Sequence, residues 1–134
     1  MTMVRLPRNG AVNTTKSMTT SASKYKPWDV VVVPFPYSDR PADKVRPAIV
    51  LSSPKLMRAT GVCYLAMVTS AENAVRIGDV PVSSLRGSGL PAPSVVRPAK
   101  IMTLSESRVL KRLGALPKAD QEKFMASMEL FFAH

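Results

Sequence analysis

The chain has 134 residues, of which 46% are hydrophobic, and 19 basic against nine acidic side chains give it a net charge of +10. This length supports a single domain with one core, and such a composition is typical of a folded protein rather than a disordered one. No apolar run approaches the roughly 20 residues with which a helix spans a bilayer, so an integral membrane protein is excluded.

The cysteine and histidine content excludes several kinds of site. Cys63 is the only cysteine, and the last residue, His134, is the only histidine. A single cysteine forms no intramolecular disulfide, and a structural zinc site usually needs four Cys or His ligands, so we expect no metal and no cofactor. Catalytic triads with a histidine base are disfavoured too. An enzyme of this composition would rely on Arg, Lys, Thr, Ser and carboxylate side chains.

Residues 1–27 differ in composition from the remainder of the chain. They hold five basic and no acidic residues, which is half of the net charge, and they are rich in Thr and Ser without an apolar period. We predict a disordered basic tail over 1–27, or an extension ahead of the true start, and a folded domain over 28–134. The alternative hypothesis is that the tail adds affinity for nucleic acid by attracting its phosphates. The segment lacks the apolar stretch of a secretory signal, which favours a cytoplasmic location.

Apolar and β-branched runs predict five strands in the folded domain. They cover residues 29–36, 46–53, 62–69, 80–83 and 94–103. The first reads as a strand buried on both faces, and the fourth is a short edge strand that tolerates Pro81. The predicted loops between them cover residues 37–45, 54–61 and 86–93.

The apolar period changes after the fifth strand. Ser105 is a typical N-cap for a short helix over 105–112, with Gly114 as its stop. Pro117 begins a last helix, whose core face carries residues at i, i+4, i+7 and i+8: Phe124, Met128, Phe131 and Phe132. Five strands followed by two helices predict a mainly β fold, a small antiparallel barrel with a C-terminal helix packed on it.

Several segments of the chain resemble the MazF/PemK toxins of type II toxin–antitoxin systems, in the family's order. The first is residues 29–39, and the second, residues 44–52, carries an Arg-Pro motif before an apolar strand. The likeness continues through residues 67–70, 95–101, 103–105 and 113–116 and through the final helix. It covers roughly residues 28–132.

The resemblance implies the SH3-like antiparallel barrel of the MazF and CcdB toxins, assembled as a homodimer with RNA grooves near its interface. It implies a sequence-selective endoribonuclease that needs no metal and arrests growth. Such an enzyme cleaves single-stranded RNA to a 2′,3′-cyclic phosphate and a 5′-hydroxyl. A cognate antitoxin would block the groove, and operator DNA would be bound only through the toxin–antitoxin complex. No membrane partner is implied.

Three residues match the family's catalytic positions. Arg46, in the Arg-Pro motif, would stabilise charge on the phosphate, because a guanidinium pairs with two phosphate oxygens. Thr69 would bond the scissile phosphate, and Arg97 matches the arginine assigned as the acid for the leaving oxygen. Phosphate or base contacts are predicted for a larger set: Tyr37, Arg40, Lys44, Lys55, Arg58, Ser70 and Lys100.

The chain departs from the family pattern in three places. Ala99 stands where the Kid/PemK branch has an aspartate as proposed base, and the first loop has Arg40 in place of a histidine. A guanidinium stays protonated and is a poor base, so water, Asp39 or Asp43 would take the 2′ proton. Trp28 stands where relatives usually have glycine, and we predict that it packs where the chain enters the barrel.

Two other functions are open as hypotheses. A non-catalytic relative would bind RNA, DNA or an antitoxin without cleavage, and Ala99 and the missing histidine favour it. A gyrase poison of the CcdB type would need a tryptophan near the C-terminus, where this chain has none. Under the ribonuclease hypothesis, base selection is expected to depend on the loops 37–45 and 54–61.

Overall fold

The computed structural model of the protein describes residues 24–34 and 44–133. Within these residues the strands are β1 (Asp29–Pro34), β2 (Val45–Val50), β3 (Val62–Ser70), β4 (Val80–Pro81), β5 (Ser94–Ser105) and β6 (Lys111–Ala115). The helices are α1 (Pro54–Thr60), α2 (Leu85–Ser88) and α3 (Lys118–Met128), with 3-10 turns at Glu106–Arg108 and Glu129–Phe131. Outside the described residues lie the tail up to residue 23, His134, and residues 35–43, which include Tyr37, Asp39, Arg40 and Asp43.

The strands form one curled antiparallel sheet in the order β4–β5–β3–β2–β1–β6. The predicted mainly β fold with a C-terminal helix is therefore confirmed. The predicted edge strand is β4, which pairs only with β5 in the described sheet. No helix among the described residues combines the length and the apolar character needed to cross a membrane.

Apolar side chains cover both faces of the central strands, as the continuous valine run of β1 predicts. Val30 belongs to one core cluster, which includes Phe124 of α3, while Val31 and Val33 belong to the other, which includes Met57 of α1. Successive residues of a strand point to opposite faces, so a strand covered on both sides is apolar throughout. The sheet thus has α1 packed on one face and α3 on the other.

The predicted basic loop over 54–61 is wrong, because these residues form α1. The Ser53 hydroxyl caps the helix by accepting from the Leu56 N–H at 3.2 Å, and Pro54 stands in the first turn. Gly61 ends the helix with a left-handed φ of 72°, which favours glycine. A shorter helix, α2, is capped by the Ser84 hydroxyl and covers the first three residues of the predicted loop over 86–93.

The predicted helix over 105–112 is also wrong. It stops after one 3-10 turn, and the chain continues as β6, which pairs with the outer edge of β1. A salt bridge of 2.9 Å between Asp29 and Arg112 joins the two strands. Gly114 is a strand residue rather than a helix stop, and a Cβ there would lie 2.5 Å from the Gly87 carbonyl oxygen. The lack of a side chain lets α2 lie directly on β6.

The last helix begins after Pro117 as predicted, but only part of its apolar face is core. Phe124 is fully buried and Met128 is half-buried against the same cluster. Phe131 and Phe132 are 42% and 60% exposed, so their predicted burial is wrong. The α-helix ends at Met128 and a 3-10 turn follows, which takes the last two aromatic side chains off the helical period.

The core begins before the predicted boundary at residue 28, because Tyr25 is buried in one of the two clusters. Trp28 packs where the chain enters β1, its ring 6.0 Å from that of Phe124 in an edge-on contact. Its φ of 74° lies in the left-handed region, where a side chain is unfavourable. This backbone conformation explains why a glycine would suit the position.

Candidate active site

A cavity of about 60 Å³ opens where β2 begins and β3 ends. In the antiparallel pairing of these strands Ala48 lies opposite Met67, and the same register continued by two residues places Arg46 opposite Thr69. Both side chains line the cavity, so they can contact the same phosphate. The complete lining is Arg46, Met67, Val68, Thr69, Arg97 and Lys100.

An irregularity in β5 supplies the third wall of this cavity. Ala66 pairs with Ile101, but the next residue of β3, Met67, pairs with Arg97. Residues 98–100 are therefore extra on the β5 side, as in an enlarged β-bulge. The bulge brings both Arg97 and Lys100 to the cavity, and together with Arg46 they give it a positively charged lining.

A second cavity of about 370 Å³ adjoins the first and shares Arg46, Val68 and Thr69 with it. It extends over the end of β3 towards the segment that leads into β5. Its remaining lining residues are Pro47, Ser70, Asn73, Leu90, Pro91, Ala92, Pro93 and Ser94. The two cavities together form a groove that starts at a cationic pocket and continues along an apolar, proline-rich wall.

Asn73 positions the Thr69 hydroxyl. The Asn73 side-chain amide donates to Thr69 Oγ1 at 2.5 Å, and the Asn73 backbone N–H donates to the Ser70 carbonyl at 3.0 Å. Because Thr69 Oγ1 accepts this bond, its own hydrogen can be donated into the cavity. Asn73 is not among the residues predicted from the sequence, since no spacing rule distinguishes an asparagine in a turn that follows a strand.

Arg97 is held by a buried ion pair that the sequence analysis missed. Its Nε donates to Asp79 Oδ1 at 3.1 Å, and its Nη2 donates to Asp79 Oδ2 at 2.9 Å and to the Ala74 carbonyl at 2.8 Å. The Arg97 and Asp79 side chains are 9% and 2% exposed. The guanidinium thus ties the segment that carries Asn73 to β5.

This ion pair changes the acidity of both groups. The hydrogen bond to Asp79 raises the pKa of Arg97 further above its usual value, with burial acting in the opposite direction. Burial alone would raise the pKa of Asp79, but hydrogen bonds from Arg97 and from the Arg76 N–H outweigh it and leave that pKa below its usual value. Arg97 therefore gives up a proton less readily than an ordinary arginine.

Comparison with protein families gives a match over residues 26–132, to the PemK-like, MazF-like toxins of type II toxin–antitoxin systems. This match spans most of the chain and includes every residue of both cavities. The chain belongs to the PemK/MazF toxin family. Comparison with curated protein sequences gives no match.

Solved structures of PemK/MazF toxins share the fold. MazF from Deinococcus radiodurans superposes with a TM-score of 0.64 and 21% identity, over 80% of this chain and 94% of that chain. The Mycobacterium tuberculosis toxin MazF-mt6 superposes with a TM-score of 0.60 and 19% identity, over 76% of this chain and 93% of that chain. An endoribonuclease in complex with its cognate antitoxin, from a mycobacterial species, superposes with a TM-score of 0.63 and 17% identity. The superposition covers 79% of this chain and 92% of that chain.

The remaining predicted RNA-binding residues of this PemK/MazF chain lie in different places. Ser70 and Lys100 line the cavities, and Lys44 is exposed immediately before β2. Lys55 and Arg58 lie on α1, beyond the far end of β3, a strand about 26 Å long at roughly 3.3 Å per residue. Tyr37 and Arg40 lie outside the described residues. The RNA contacts of all these residues stay predictions.

None of the described residues that line the two cavities carries a carboxylate. Ala99 is exposed in the β5 bulge and leaves that strand without the aspartate of the Kid/PemK branch. Asp79, whose side chain is held by Arg97, is the acidic group tied to the cavity wall. Within residues 24–34 and 44–133, no three His, Cys, Asp or Glu side chains are grouped so that they could hold a metal ion.

Proposed function

We propose that this protein is the toxin of a type II toxin–antitoxin pair and a sequence-selective endoribonuclease that cleaves single-stranded RNA without a metal ion. The observation that carries the proposal is the convergence of Arg46, Thr69 and Lys100, from three strands, on one cationic cavity. Membership of the PemK/MazF family supports the same activity.

The proposed reaction is an internal transesterification. The 2′-oxygen of the RNA attacks the adjacent phosphorus while the bond from phosphorus to the 5′-oxygen breaks, which leaves a 2′,3′-cyclic phosphate and a 5′-hydroxyl. Arg46 and Lys100 stabilise the negative charge that grows on the phosphate oxygens, and the Thr69 hydroxyl donates to one of them. Since the nucleophile belongs to the RNA, the protein contributes mainly position and charge.

Arg97 acts in this proposal as a positioning residue rather than as the acid. Its bonds to Asp79 and to the Ala74 carbonyl hold the 71–79 segment against β5, and its raised pKa opposes proton release. The 5′-oxygen then takes its proton from water. The 2′ proton leaves to water or to a carboxylate of the first loop, Asp39 or Asp43.

The proposed partners follow from the family. A homodimer would place two such grooves in one molecule, and a cognate antitoxin would cover them. Operator DNA would be bound only through that complex, and the toxin would act in the cytoplasm. A similar fold has been solved as an endoribonuclease in complex with its cognate antitoxin.

The proposal is tested by incubating purified protein with a long single-stranded RNA in EDTA. Wild-type protein should cut the RNA and leave 5′-hydroxyl ends that polynucleotide kinase labels directly. Arg46→Ala should slow cleavage by a factor of about 10²–10³, the usual cost of losing one transition-state donor. Arg108→Ala, an exposed arginine on the 3-10 turn after β5, is the matched control and should cut at the wild-type rate. RNA left intact by the wild-type protein would contradict the proposal.

The second candidate function is a relative that binds RNA or antitoxin without cleaving. Two observations favour it: Ala99 supplies no base, and Arg97 is committed to Asp79. The same assay separates the two, because the binder would retard single-stranded RNA in a gel and leave it uncut, and the retardation would weaken in Arg46→Ala.

A further inference from the structure

We infer that the 370 Å³ cavity is a nucleobase-binding subsite, and that the segment over residues 90–94 determines which base is accepted beside the cleaved phosphodiester. The inference rests on the proposed function and assigns substrate selection to a part of that groove. Phosphate contacts position a nucleic acid, whereas contacts to the bases carry its sequence preference.

The sizes and continuity of the two cavities support this division. The smaller cavity, about 60 Å³, has room for a compact group such as a phosphate and no room for a nucleoside. The larger, about 370 Å³, lies within the range of small-molecule sites. Because they share Arg46 and Thr69, an RNA strand whose phosphate occupies the first extends its neighbouring nucleoside into the second.

The lining of the larger cavity suits both parts of a base, its apolar ring face and its polar edge. One wall is formed by Leu90 and the segment Pro-Ala-Pro at 91–93, which offers apolar surface to a ring face. Ser70, which also lines the cavity, has a hydroxyl that can meet the polar edge of a base. Ser70 Oγ accepts from the Glu72 N–H and keeps its hydrogen to donate to that edge, while the Asn73 amide is used to donate to Thr69.

The apolar wall is preorganised. The Pro93 carbonyl accepts from the Ala71 N–H at 3.0 Å, and the Ser94 carbonyl accepts from the Val82 N–H at 2.9 Å. The Ser94 hydroxyl donates to the Ala92 carbonyl at 2.7 Å, and Leu90 is anchored in the core cluster that includes Phe124. A base therefore meets a surface that needs little ordering on binding.

This assignment revises the expected origin of base selection. The loops 37–45 and 54–61 are the predicted sites of base selection, and most of the first lies outside the described residues. The second of these forms α1 and lies beyond the opposite end of β3 from Thr69. The segment over 90–94 instead reaches the groove directly, because the pairing of β5 with β3 brings Ser94 opposite Ser70.

The experiment measures binding of short single-stranded oligonucleotides that carry a 2′-deoxy sugar at a central phosphodiester and are therefore not cleaved. Each carries one of the four bases or an abasic residue on one side of that phosphodiester. In the wild-type protein, replacing the best base by an abasic residue on one side should weaken binding about tenfold. Ala92→Trp, which fills the cavity, should bind both oligonucleotides equally. Ala126→Trp, at an exposed position of α3, is the control and should keep the tenfold difference.

Two results would overturn the subsite: an abasic residue that costs the wild-type protein no affinity on either side, or an Ala92→Trp variant that keeps the full difference. Cleavage is scored separately on an all-ribose RNA. Wild-type protein that cleaves but shows no abasic effect overturns the subsite alone. Wild-type protein that shows the abasic effect but leaves RNA uncut overturns the ribonuclease and supports a base-reading binder.

Discussion

Arg97 and Asp79 face each other through two hydrogen bonds, of 3.1 and 2.9 Å, that join the bulged strand β5 to the residue before β4. The pair is shielded from water, and its arginine lines the cationic cavity. It makes Arg97 part of the frame of the site, because the same guanidinium also holds the Ala74 carbonyl.

Asp79→Asn should make the protein less stable at neutral pH and less sensitive to acid. The Asp79 pKa is below its usual value of about 3.9, so the ionised carboxylate stabilises the folded state above that pH. This stabilisation is lost as the pH falls through the usual value towards the folded-state one. We expect a loss of about 2–3 kcal/mol at pH 7. Thermal unfolding between pH 6 and 2.5 should show a smaller fall in Tm for the variant than for the wild type.

The matched comparison for this ion pair is the double variant Arg97→Gln, Asp79→Asn. Removing Arg97 alone leaves a buried carboxylate without its cation, which costs more than removing both charges. The double variant should therefore be more stable than Arg97→Gln. Equal pH profiles for the wild type and Asp79→Asn would refute the role of the carboxylate.

Asn73→Ala should lower kcat for RNA cleavage about fivefold and leave KM within about a factor of two. The amide of Asn73 fixes the direction of the Thr69 hydroxyl, and loss of one orienting hydrogen bond removes about 1 kcal/mol of selective stabilisation. Single-turnover rates over a range of RNA concentrations separate the effect on the maximal rate from the effect on RNA binding. In a Thr69→Val background the same substitution should have no further effect, since the hydroxyl is gone. Additive losses in the double variant would indicate a merely structural role.

Trp28→Gly should be more stable than Trp28→Ala by about 1 kcal/mol. Both variants lose the edge-on contact with Phe124 and should be less stable than the wild type. Only glycine relieves the left-handed backbone at this position, whose φ is 74°. Urea unfolding of the three proteins measures the order, and an alanine variant more stable than the glycine variant would contradict it.

The Cys63 thiol should resist alkylation in the folded protein. Burial, assisted by Glu106, raises its pKa to about 11, and the side chain is fully buried against Met57. Because the thiolate is the reactive form, iodoacetamide at pH 8 should leave Cys63 unmodified until urea unfolds the chain. Mass spectrometry measures the modification. Rapid labelling under native conditions would show that this part of the core opens readily.

Sequence patterns were sufficient to predict those elements that depend only on their own residues. The valine run of β1, the position of β3 and the start of α3 after Pro117 follow from local apolar patterning, and the structure has all three. The signals of α1 were also local, a Ser-Pro start and a glycine stop, but the basic residues between them favoured a loop. In contrast, β6 forms because β1 offers an unpaired edge, a condition that no local pattern contains.

The sequence by itself determined the family resemblance and the chemistry at hand: arginines, lysines and a threonine in place of a histidine base. Only the tertiary structure decided which of these side chains meet. Antiparallel pairing sets Arg46 beside Thr69, and three extra residues in β5 bring Lys100 to them while Asp79 restrains Arg97. Strand register and bulges depend on contacts between residues far apart in the chain. For that reason the ion pair, the Asn73 bond and the proline-lined cavity are visible only in the folded molecule.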